Sequence, residues 1–303
     1  MDDGGTDASM IRDAMTSDAP IADAVGSDAI DAPLLGLGQQ RVVYGNGSTI
    51  FSIRLDGTGK KQLTNDPSGA SFATVSLDGK YVVYVSNSIA IGFQHIVAQN
   101  TDGTGRRDIT TSDTSDEYPA LSADGQRVAF TSTRQGEKLN KVYVASFISG
   151  DAGPLARVSP DDGHEHRWPS WGGNSKITYT DMALKDIMAV DADGRNLVNL
   201  TNSPGIDDQL SAYSSDGSKI VFSSRRSNSY DVWVMNADGS EPRQVTTSGR
   251  AGGGVAFDLT GRYIVYYDLS SFDLGVITLD GATITTNLTN DSVNEMGTGV
   301  YPD

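Results

Sequence analysis

Two histidines stand one residue apart in the run His164-Glu165-His166-Arg167-Trp168, the one place in the chain where histidines cluster. In an extended strand, alternate side chains point to the same side, so both imidazoles would face the same way. Neutral imidazoles together with carboxylates are ligands that suit a divalent metal ion. A divalent cation is therefore the one cofactor that the residue types suggest, and no other cofactor is predicted.

Other polar residues occupy corresponding positions just before the apolar runs of the chain. The candidate ligand-binding residues are Asp116, Glu117, His164, His166, Arg167, Asp208, Gln209 and Glu295. Carboxylate pairs such as Asp116/Glu117 and Asp207/Asp208 would also suit a glycoside hydrolase, whose retaining form needs a separation of about 5 Å. Carboxylate pairs are common in a chain with 39 acidic residues, and the alternative is a set of solvated loop residues with Trp168 capping the core. No residue is assigned a catalytic role.

The composition excludes several classes of function. A net charge of −16 argues against nucleic acid, whose phosphates require clustered lysine and arginine. The chain has no cysteine, which removes disulfides, thiolate metal sites and cysteine nucleophiles. It also has no apolar stretch long enough to predict a transmembrane segment.

A turn phrase followed by a short apolar strand recurs along the chain. It reads Ser-x-Asp-Gly and then a hydrophobic run at residues 76–84, 122–130 and 214–222, with degraded copies at 172–179 and 258–266. The repeat length of about 42 to 50 residues, with several short strands in each unit, is typical of a β-propeller blade.

The number of blades follows from a second phrase that ends each unit. A hydrophobic residue followed by Thr or Ser occurs six times, at Leu63-Thr64, Ile109-Thr110, Val158-Ser159, Leu200-Thr201, Val245-Thr246 and Leu288-Thr289. Each unit holds four strand-like runs, which in the third unit are residues 118–122, 127–132, 141–147 and 155–159. The sequence therefore predicts an all-β fold, a propeller of six four-stranded blades.

The first and last runs of residues 36–303 together supply the strands of one blade. The final run Gly299-Val300-Tyr301-Pro302-Asp303 matches the end of an innermost strand elsewhere, and the strand that should follow it stands near the N-terminus as residues 39–44. We predict that residues 297–303 pair beside residues 41–45 and close the ring, which removes two open strand edges.

The repeated Ser-x-Asp-Gly phrase and the run from Tyr230 to Gly239 closely resemble the TolB-type, WD-like propeller repeat. The resemblance covers about residues 36–303. It implies a fold shared by periplasmic scaffolds that bind partner proteins, by proteins with a peptidase domain, and by proteins that act on sugars. The chain lacks the N-terminal α/β domain of TolB and has no Gly-x-Ser-x-Gly elbow, which argues against a peptidase.

Residues 1–35 form a separate segment of acidic character. Its first 33 residues contain eight aspartates, one arginine and no aromatic residue. Such a segment buries too little apolar area to offset the entropy of ordering, so we predict a disordered tether. It resembles the spacer after the lipidated cysteine of bacterial surface lipoproteins, which implies a periplasmic or cell-surface location and anchoring through a cysteine ahead of this sequence.

The expected function follows from the ring. Long loops at residues 86–94, 133–140, 160–167, 202–209 and 268–273 share one face, where six innermost strands converge on an axial funnel. The leading prediction is a monomeric, non-enzymatic scaffold that binds a protein segment or a small polar ligand there. The alternative is a carbohydrate-active enzyme, either a lyase or a glycoside hydrolase, that uses the His/Asp/Glu cluster. A purely structural module is a third prediction, which would show a plugged funnel.

Overall fold

In the computed structural model, which describes residues 36–87, 92–111, 113–285, 287–290 and 296–303, the chain forms six four-stranded antiparallel sheets. Their innermost strands contact one another in sequence around a ring. This arrangement confirms the predicted all-β, six-bladed propeller. The predicted acidic tether at residues 1–35 lies outside the described residues.

The strands are numbered in chain order and fall into six blades. Blade 1 holds β24 (Met296–Pro302), β1 (Gln40–Gly45), β2 (Ile50–Arg54) and β3 (Lys61–Gln62), after a short 3-10 helix at Leu37–Gln39. Blade 2 holds β4 (Ala70–Val75), β5 (Tyr81–Asn87), β6 (Gln94–Asn100) and β7 (Arg107–Asp108). Blade 3 holds β8 (Asp116–Leu121), β9 (Arg127–Ser132), β10 (Lys141–Ser146) and β11 (Gly150–Arg157).

The other three blades repeat this pattern. Blade 4 holds β12 (His166–Gly172), β13 (Lys176–Asp181), β14 (Asp186–Asp191) and β15 (Val198–Asn199). Blade 5 holds β16 (Asp208–Tyr213), β17 (Lys219–Ser224), β18 (Asp231–Asn236) and β19 (Arg243–Gln244). Blade 6 holds β20 (Ala251–Phe257), β21 (Tyr263–Asp268), β22 (Leu274–Thr278) and β23 (Thr283–Thr285).

Hydrogen bonds within the Ser-x-Asp-Gly phrase explain why it recurs at the hairpin between the first two strands of a blade. In blade 2 the hydroxyl of Ser76 donates to Asp78 (2.7 Å) and accepts from the backbone N–H of Tyr81 (3.0 Å). Gly79 takes a positive φ of 70°, which glycine adopts without a side-chain clash. In blade 6, Asp258 replaces the serine and its carboxylate accepts from Tyr263 N at 2.8 Å.

The hydrophobic–Thr/Ser phrase has an equally uniform role in all six blades. Its hydroxyl accepts a hydrogen bond from the first part of the third strand, which fastens the outer edge of the blade. The bonds are Ile50 N to Thr64, Ile96 N to Thr110, Val142 N to Ser159, Ile187 N to Thr201, Val232 N to Thr246 and Leu274 N to Thr289, at 2.9 to 3.1 Å.

The ring is closed by β24, which pairs with β1 in antiparallel register. Gln40 faces Pro302, Val42 faces Val300 and Val43 faces Gly299, as the sequence predicts. Ion pairs fasten the junction, with Asp303 Oδ1 2.6 Å from Arg41 Nη1 and Asp303 Oδ2 2.7 Å from Arg54 Nε.

The core lies between neighbouring blades. Both faces of each central strand are covered, so Val82, Val83, Tyr84 and Val85 are all fully buried on consecutive positions of β5. Continuous apolar runs of this kind are expected wherever a sheet is covered on both faces. Among the described residues, no helix is long and apolar enough to cross a lipid bilayer.

Candidate functional site

A β-bulge interrupts the innermost strand at the same place in five blades. At that point the residue adopts a left-handed backbone conformation: Phe72 (φ 50°), Tyr118 (55°), Trp168 (56°), Leu210 (56°) and Gly253 (94°). A large side chain in this conformation costs roughly 1–2 kcal/mol. The surrounding ladder imposes it and turns these side chains toward the axis.

The bulge residues line an axial cavity of about 530 Å³. Three aromatic rings form an arc along its wall: the centroids of Phe72 and Tyr118 are 4.5 Å apart and those of Tyr118 and Trp168 are 5.9 Å apart, both edge to face. Gly253 completes the far side without a side chain, because a Cβ there would lie 2.8 Å from Tyr267. Three aromatic rings therefore line one wall of the cavity, and the facing wall combines the glycine backbone at residues 253–254 with Tyr267 and Leu269.

Three of the predicted site residues immediately precede these bulges. Glu117, Arg167 and Gln209 are half-buried, and the lining of the cavity begins at the residue after each of them. Burial raises the pKa of Glu117, the charges of Glu165 and Asp116 reinforce that rise, and the charge of Arg167 opposes it.

One residue further back, the side chains are buried inside the blades. Asp116 accepts from Arg134 Nη2 at 2.6 Å, and Asp208 accepts from Arg226 Nη2 at 2.8 Å. Each arginine also lies over an aromatic ring, with Arg134 4.7 Å from the centroid of Phe130. These two aspartates are therefore neutralised within their own blades and hold the start of the innermost strand. Asp207, the other half of the proposed carboxylate pair, accepts from the hydroxyl of Tyr230 at 2.8 Å.

The two clustered histidines meet two aspartates in blade 4. His164 Nδ1 lies 2.8 Å from Asp181 Oδ2 and 3.9 Å from Asp162 Oδ2. His166 Nε2 lies 3.3 Å from Asp162 Oδ2 and 3.6 Å from Asp181 Oδ2. One ligand atom from each residue fits within 4.8 Å of the others, a grouping able to hold a metal ion. We call these four residues the His–Asp cluster.

The electrostatics of the His–Asp cluster differ between the two imidazoles. Burial lowers the pKa of His166, although the charge of Asp162 opposes this. The hydrogen bond to Asp181 raises the pKa of His164. Burial raises the pKa of Asp162, but hydrogen bonds from His164 N and from the Lys141 ammonium outweigh it and lower the pKa overall.

Sequence reasoning did not identify Asp162, Asp181 or Lys141 as part of a site. Asp181 could have been recognised from the repeat. It is the last residue of the second strand of blade 4, at a position where blades 3 and 5 have Ser132 and Ser224. Asp162 and Lys141 gave no such signal, since loop geometry and an inter-blade contact bring them to the histidines.

The other predicted residues fall elsewhere. Glu295 lies outside the residues that the structure describes. His95 is buried on β6, the third strand of blade 2. The Asp191–Gly194 phrase forms a plain turn, in which Asp193 accepts from the backbone N–H of Arg195 at 3.0 Å.

Six four-stranded blades around an axial cavity define a six-bladed β-propeller. Solved structures with a similar fold include TolB proteins. TolB from Acinetobacter baumannii is 18% identical over 88% of this chain and 67% of that chain, with a TM-score of 0.70. A chain from a nidogen/laminin complex is 15% identical over 86% of this chain and 98% of its own length, with a TM-score of 0.68. An oligogalacturonate lyase in complex with manganese is 12% identical over 78% of this chain and 69% of its own, with a TM-score of 0.56.

These likenesses concern the fold. No protein-family model matches the chain. At identities below 20%, the structures confirm the predicted TolB-like propeller as an architecture, and function has to be argued from the site.

Proposed function

We propose that this propeller is a non-enzymatic binding scaffold that holds a protein segment in its axial cavity. The observation that supports this proposal best is the aromatic arc of Phe72, Tyr118 and Trp168, built from residues in a costly left-handed conformation. Backbone strain at repeated positions is typical of ligand-binding sites. Aromatic rings offer large, rigid contact area at a low cost in side-chain entropy.

The largely apolar lining of the cavity suits a protein segment with apolar side chains. One wall presents the rings of Phe72, Tyr118 and Trp168, and Tyr267 and Leu269 add apolar surface on the opposite wall. Half-buried Glu117, Arg167 and Gln209 adjoin the lining and provide polar groups for orientation. A small polar ligand would use the same groups. The TolB and nidogen/laminin neighbours are consistent with protein binding by this architecture.

The proposed location is the periplasm or surface of a bacterium, with the chain acting as a monomer held by its acidic N-terminal segment. The support is the resemblance of residues 1–35 to a lipoprotein spacer and the likeness of the ring to TolB. Fractionation of cells that express the native gene would test this placement.

Binding can be tested with defined extended peptides of varied sequence and a set of acidic oligosaccharides, by thermal shift and then calorimetry. We expect a peptide to raise the melting temperature of the wild type and to bind Trp168→Ala and Tyr118→Ala about 5- to 30-fold more weakly, since each anchor ring contributes on the order of 1–2 kcal/mol. Ile148→Ala, which alters a side chain that is 74% exposed in the β10–β11 hairpin, is the matched control. Equal affinity of all variants for the peptide would contradict the axial cavity as the binding site.

A carbohydrate-active enzyme is the second candidate, and the His–Asp cluster is the observation that favours it. An oligogalacturonate lyase in complex with manganese shares the fold. Incubation of the protein with acidic oligosaccharides and Mn²⁺ should then release unsaturated or shortened products, and His164→Ala should abolish their release. No product from any of these sugars would exclude this candidate for them.

A further inference from the structure

A comparison of three blades shows what is unusual about the His–Asp cluster. The first residue of the innermost strand faces the last residue of the second strand, as Asp116 faces Ser132 in blade 3 and Asp208 faces Ser224 in blade 5. Two residues after the serine, an arginine returns to the aspartate. Both blades thus contain an Asp–Ser–Arg arrangement in which the arginine neutralises the carboxylate.

Blade 4 replaces every member of that arrangement. His166 stands where the aspartate would be, it faces Asp181 in place of the serine, and Ala183 occupies the position of the arginine. The arginine of the other blades is gone, and nitrogen and oxygen atoms with lone pairs take its place, while the Lys141 ammonium bonds to the other oxygen of Asp162. The substitution turns a self-neutralised contact into a set of electron-pair donors.

The donor atoms converge on one point, although His164 Nδ1 and Asp181 Oδ2 are also within hydrogen-bond distance of each other. Four tetrahedral ligands at 2.0–2.1 Å from a metal lie ~3.3 Å apart. The four His–Asp separations, 2.8, 3.3, 3.6 and 3.9 Å, lie on both sides of this value. At 3.3 Å from Asp162 Oδ2, His166 Nε2 still makes no hydrogen bond within the described residues, and the His166 side chain is fully buried.

The remaining atoms of the carboxylates are already held in place. Asp181 Oδ1 accepts from the backbone N–H groups of Ala183 (2.9 Å) and Leu184 (3.0 Å), which leaves Oδ2 toward the histidines. Asp162 Oδ1 accepts from Lys141 Nζ at 3.1 Å and from His164 N at 3.0 Å, which leaves its Oδ2 toward them as well. Outer contacts that orient ligands in this way are typical of metal sites.

A buried hydroxyl adjoins the same point. Tyr179 packs against His166, with ring centroids 4.9 Å apart, and its hydroxyl has no hydrogen-bond partner in the described part of the chain. Buried polar groups are nearly always satisfied, so adjacent unsatisfied atoms on His166 and Tyr179 favour a ligand at this point.

We propose that Asp162, His164, His166 and Asp181 bind one Zn²⁺ ion through His164 Nδ1, His166 Nε2 and one oxygen of each carboxylate. Two carboxylates offset the two positive charges of the ion, and the Lys141 ammonium beside Asp162 leaves a net charge of +1. Imidazole ligands distinguish this set from a calcium site, which uses oxygen atoms, and zinc exceeds manganese in affinity for nitrogen-containing sites. The inference is independent of what the axial cavity binds.

The test is zinc binding by the full chain after removal of metal with a chelator and dialysis. We expect one tightly bound Zn²⁺ per chain, measured by calorimetry and by elemental analysis after gel filtration, with a rise in melting temperature. His164→Ala and Asp162→Asn should each weaken binding by more than ~10-fold. These side chains are 32% and 33% exposed, so the variants should fold.

Three controls separate this site from other ways of holding zinc. His95→Gln removes the remaining imidazole and should leave the zinc affinity unchanged. The acidic segment 1–35 is present in every variant, so weak binding to its aspartates appears equally in all of them. Co²⁺ in place of Zn²⁺ should give the intense visible absorption of a tetrahedral site in the wild type and His95→Gln, and not in His164→Ala.

Equal zinc stoichiometry and affinity in the wild type and in His164→Ala would overturn the proposal, as would the absence of any zinc-dependent shift in the melting temperature of the wild type. His166→Asn, which removes the buried imidazole, should likewise lose zinc binding. The peptide-binding assay with Trp168→Ala reports on the cavity alone, so failure of either proposal is distinguishable from failure of the other.

Discussion

At the scale of single residues, similar side chains at equivalent positions do different work. Asp116 and Asp208 are buried and paired with arginines, whereas His166, at the corresponding position of blade 4, joins the His–Asp cluster. Sequence reasoning grouped the three together because they occupy the same place in the repeat. The partner decides the role of each residue. For Asp116 and Asp208 the partner is an arginine 18 residues further along the chain, which the fold brings into contact.

The buried pair Asp116–Arg134 yields a stability prediction. Arg134→Met should lower the free energy of unfolding by about 3–5 kcal/mol, because it leaves an uncompensated carboxylate in the interior. Urea denaturation measures the loss. Arg195→Met, which changes a highly exposed side chain, is the control and should leave the unfolding midpoint nearly unchanged. The double variant Asp116→Asn/Arg134→Met should recover part of the loss, and a loss equal to that of Arg134→Met would contradict the electrostatic explanation.

Glu117 yields a prediction about pH. Burial raises the pKa of Glu117 in the folded protein, so its favourable contribution is present below the pKa of the unfolded chain and is lost as pH rises through the folded value. Glu117→Gln, which carries no charge, should therefore gain stability relative to the wild type as pH increases from about 4 to about 7.

Urea denaturation across that pH range measures the difference between Glu117→Gln and the wild type. Titration of the Glu117 carboxyl by NMR gives the pKa directly, and removal of the opposing charge in Arg167→Met should raise it further. A stability difference that grows on acidification would show that the sign is wrong.

At the scale of elements, the β-bulge is the feature that shapes the cavity. It recurs at Phe72, Tyr118, Trp168, Leu210 and Gly253, and the sequence signals it only at Gly253. No propensity favours a left-handed tyrosine or tryptophan, so the conformation is imposed by the ladder and by the close approach of innermost strands. The turns are the opposite case, since Asp-Gly and Ser-x-Asp-Gly form their hydrogen bonds within a few residues.

At a bulge position, glycine should give a more stable protein than alanine, which is the reverse of their order in a regular strand. We expect Tyr118→Gly to be more stable than Tyr118→Ala by about 1 kcal/mol, because alanine keeps a Cβ in the left-handed region and glycine does not. Ala129 on the regular strand β9 is the matched position, where Ala129→Gly should be destabilising. Thermal unfolding of the three variants measures the ranking, and Tyr118→Ala above Tyr118→Gly would argue against the left-handed conformation.

At the scale of the whole molecule, the ring depends on β24. This strand pairs with β1 and contacts β4, so it joins the two ends of the propeller. Val300 and Tyr301 are buried on it, in the cores on either side of blade 1.

Deletion of residues 296–303 should therefore abolish cooperative unfolding. The deletion exposes an unpaired edge on β1 and removes the inner packing of blade 1, which promotes association between chains. Urea denaturation and gel filtration measure the two effects. Ile284→Thr, at an exposed position of the outermost strand β23, should leave both unchanged. A truncated chain that stays monomeric and unfolds cooperatively would show that closure by β24 is dispensable.

The sequence by itself determined the class of fold, the six blades and the closure of the ring. These follow from a repeat whose signals are local: turn phrases that bond within themselves, a Thr or Ser that ends each unit, and short apolar runs that form strands. Tertiary structure alone decided which polar residues meet. Lys141 reaches Asp162 across a blade boundary, Asp181 reaches the histidines across a strand pair, and Arg134 neutralises Asp116. The repeat shows which positions are equivalent in different blades. The charge of a site depends instead on contacts between residues that differ from blade to blade.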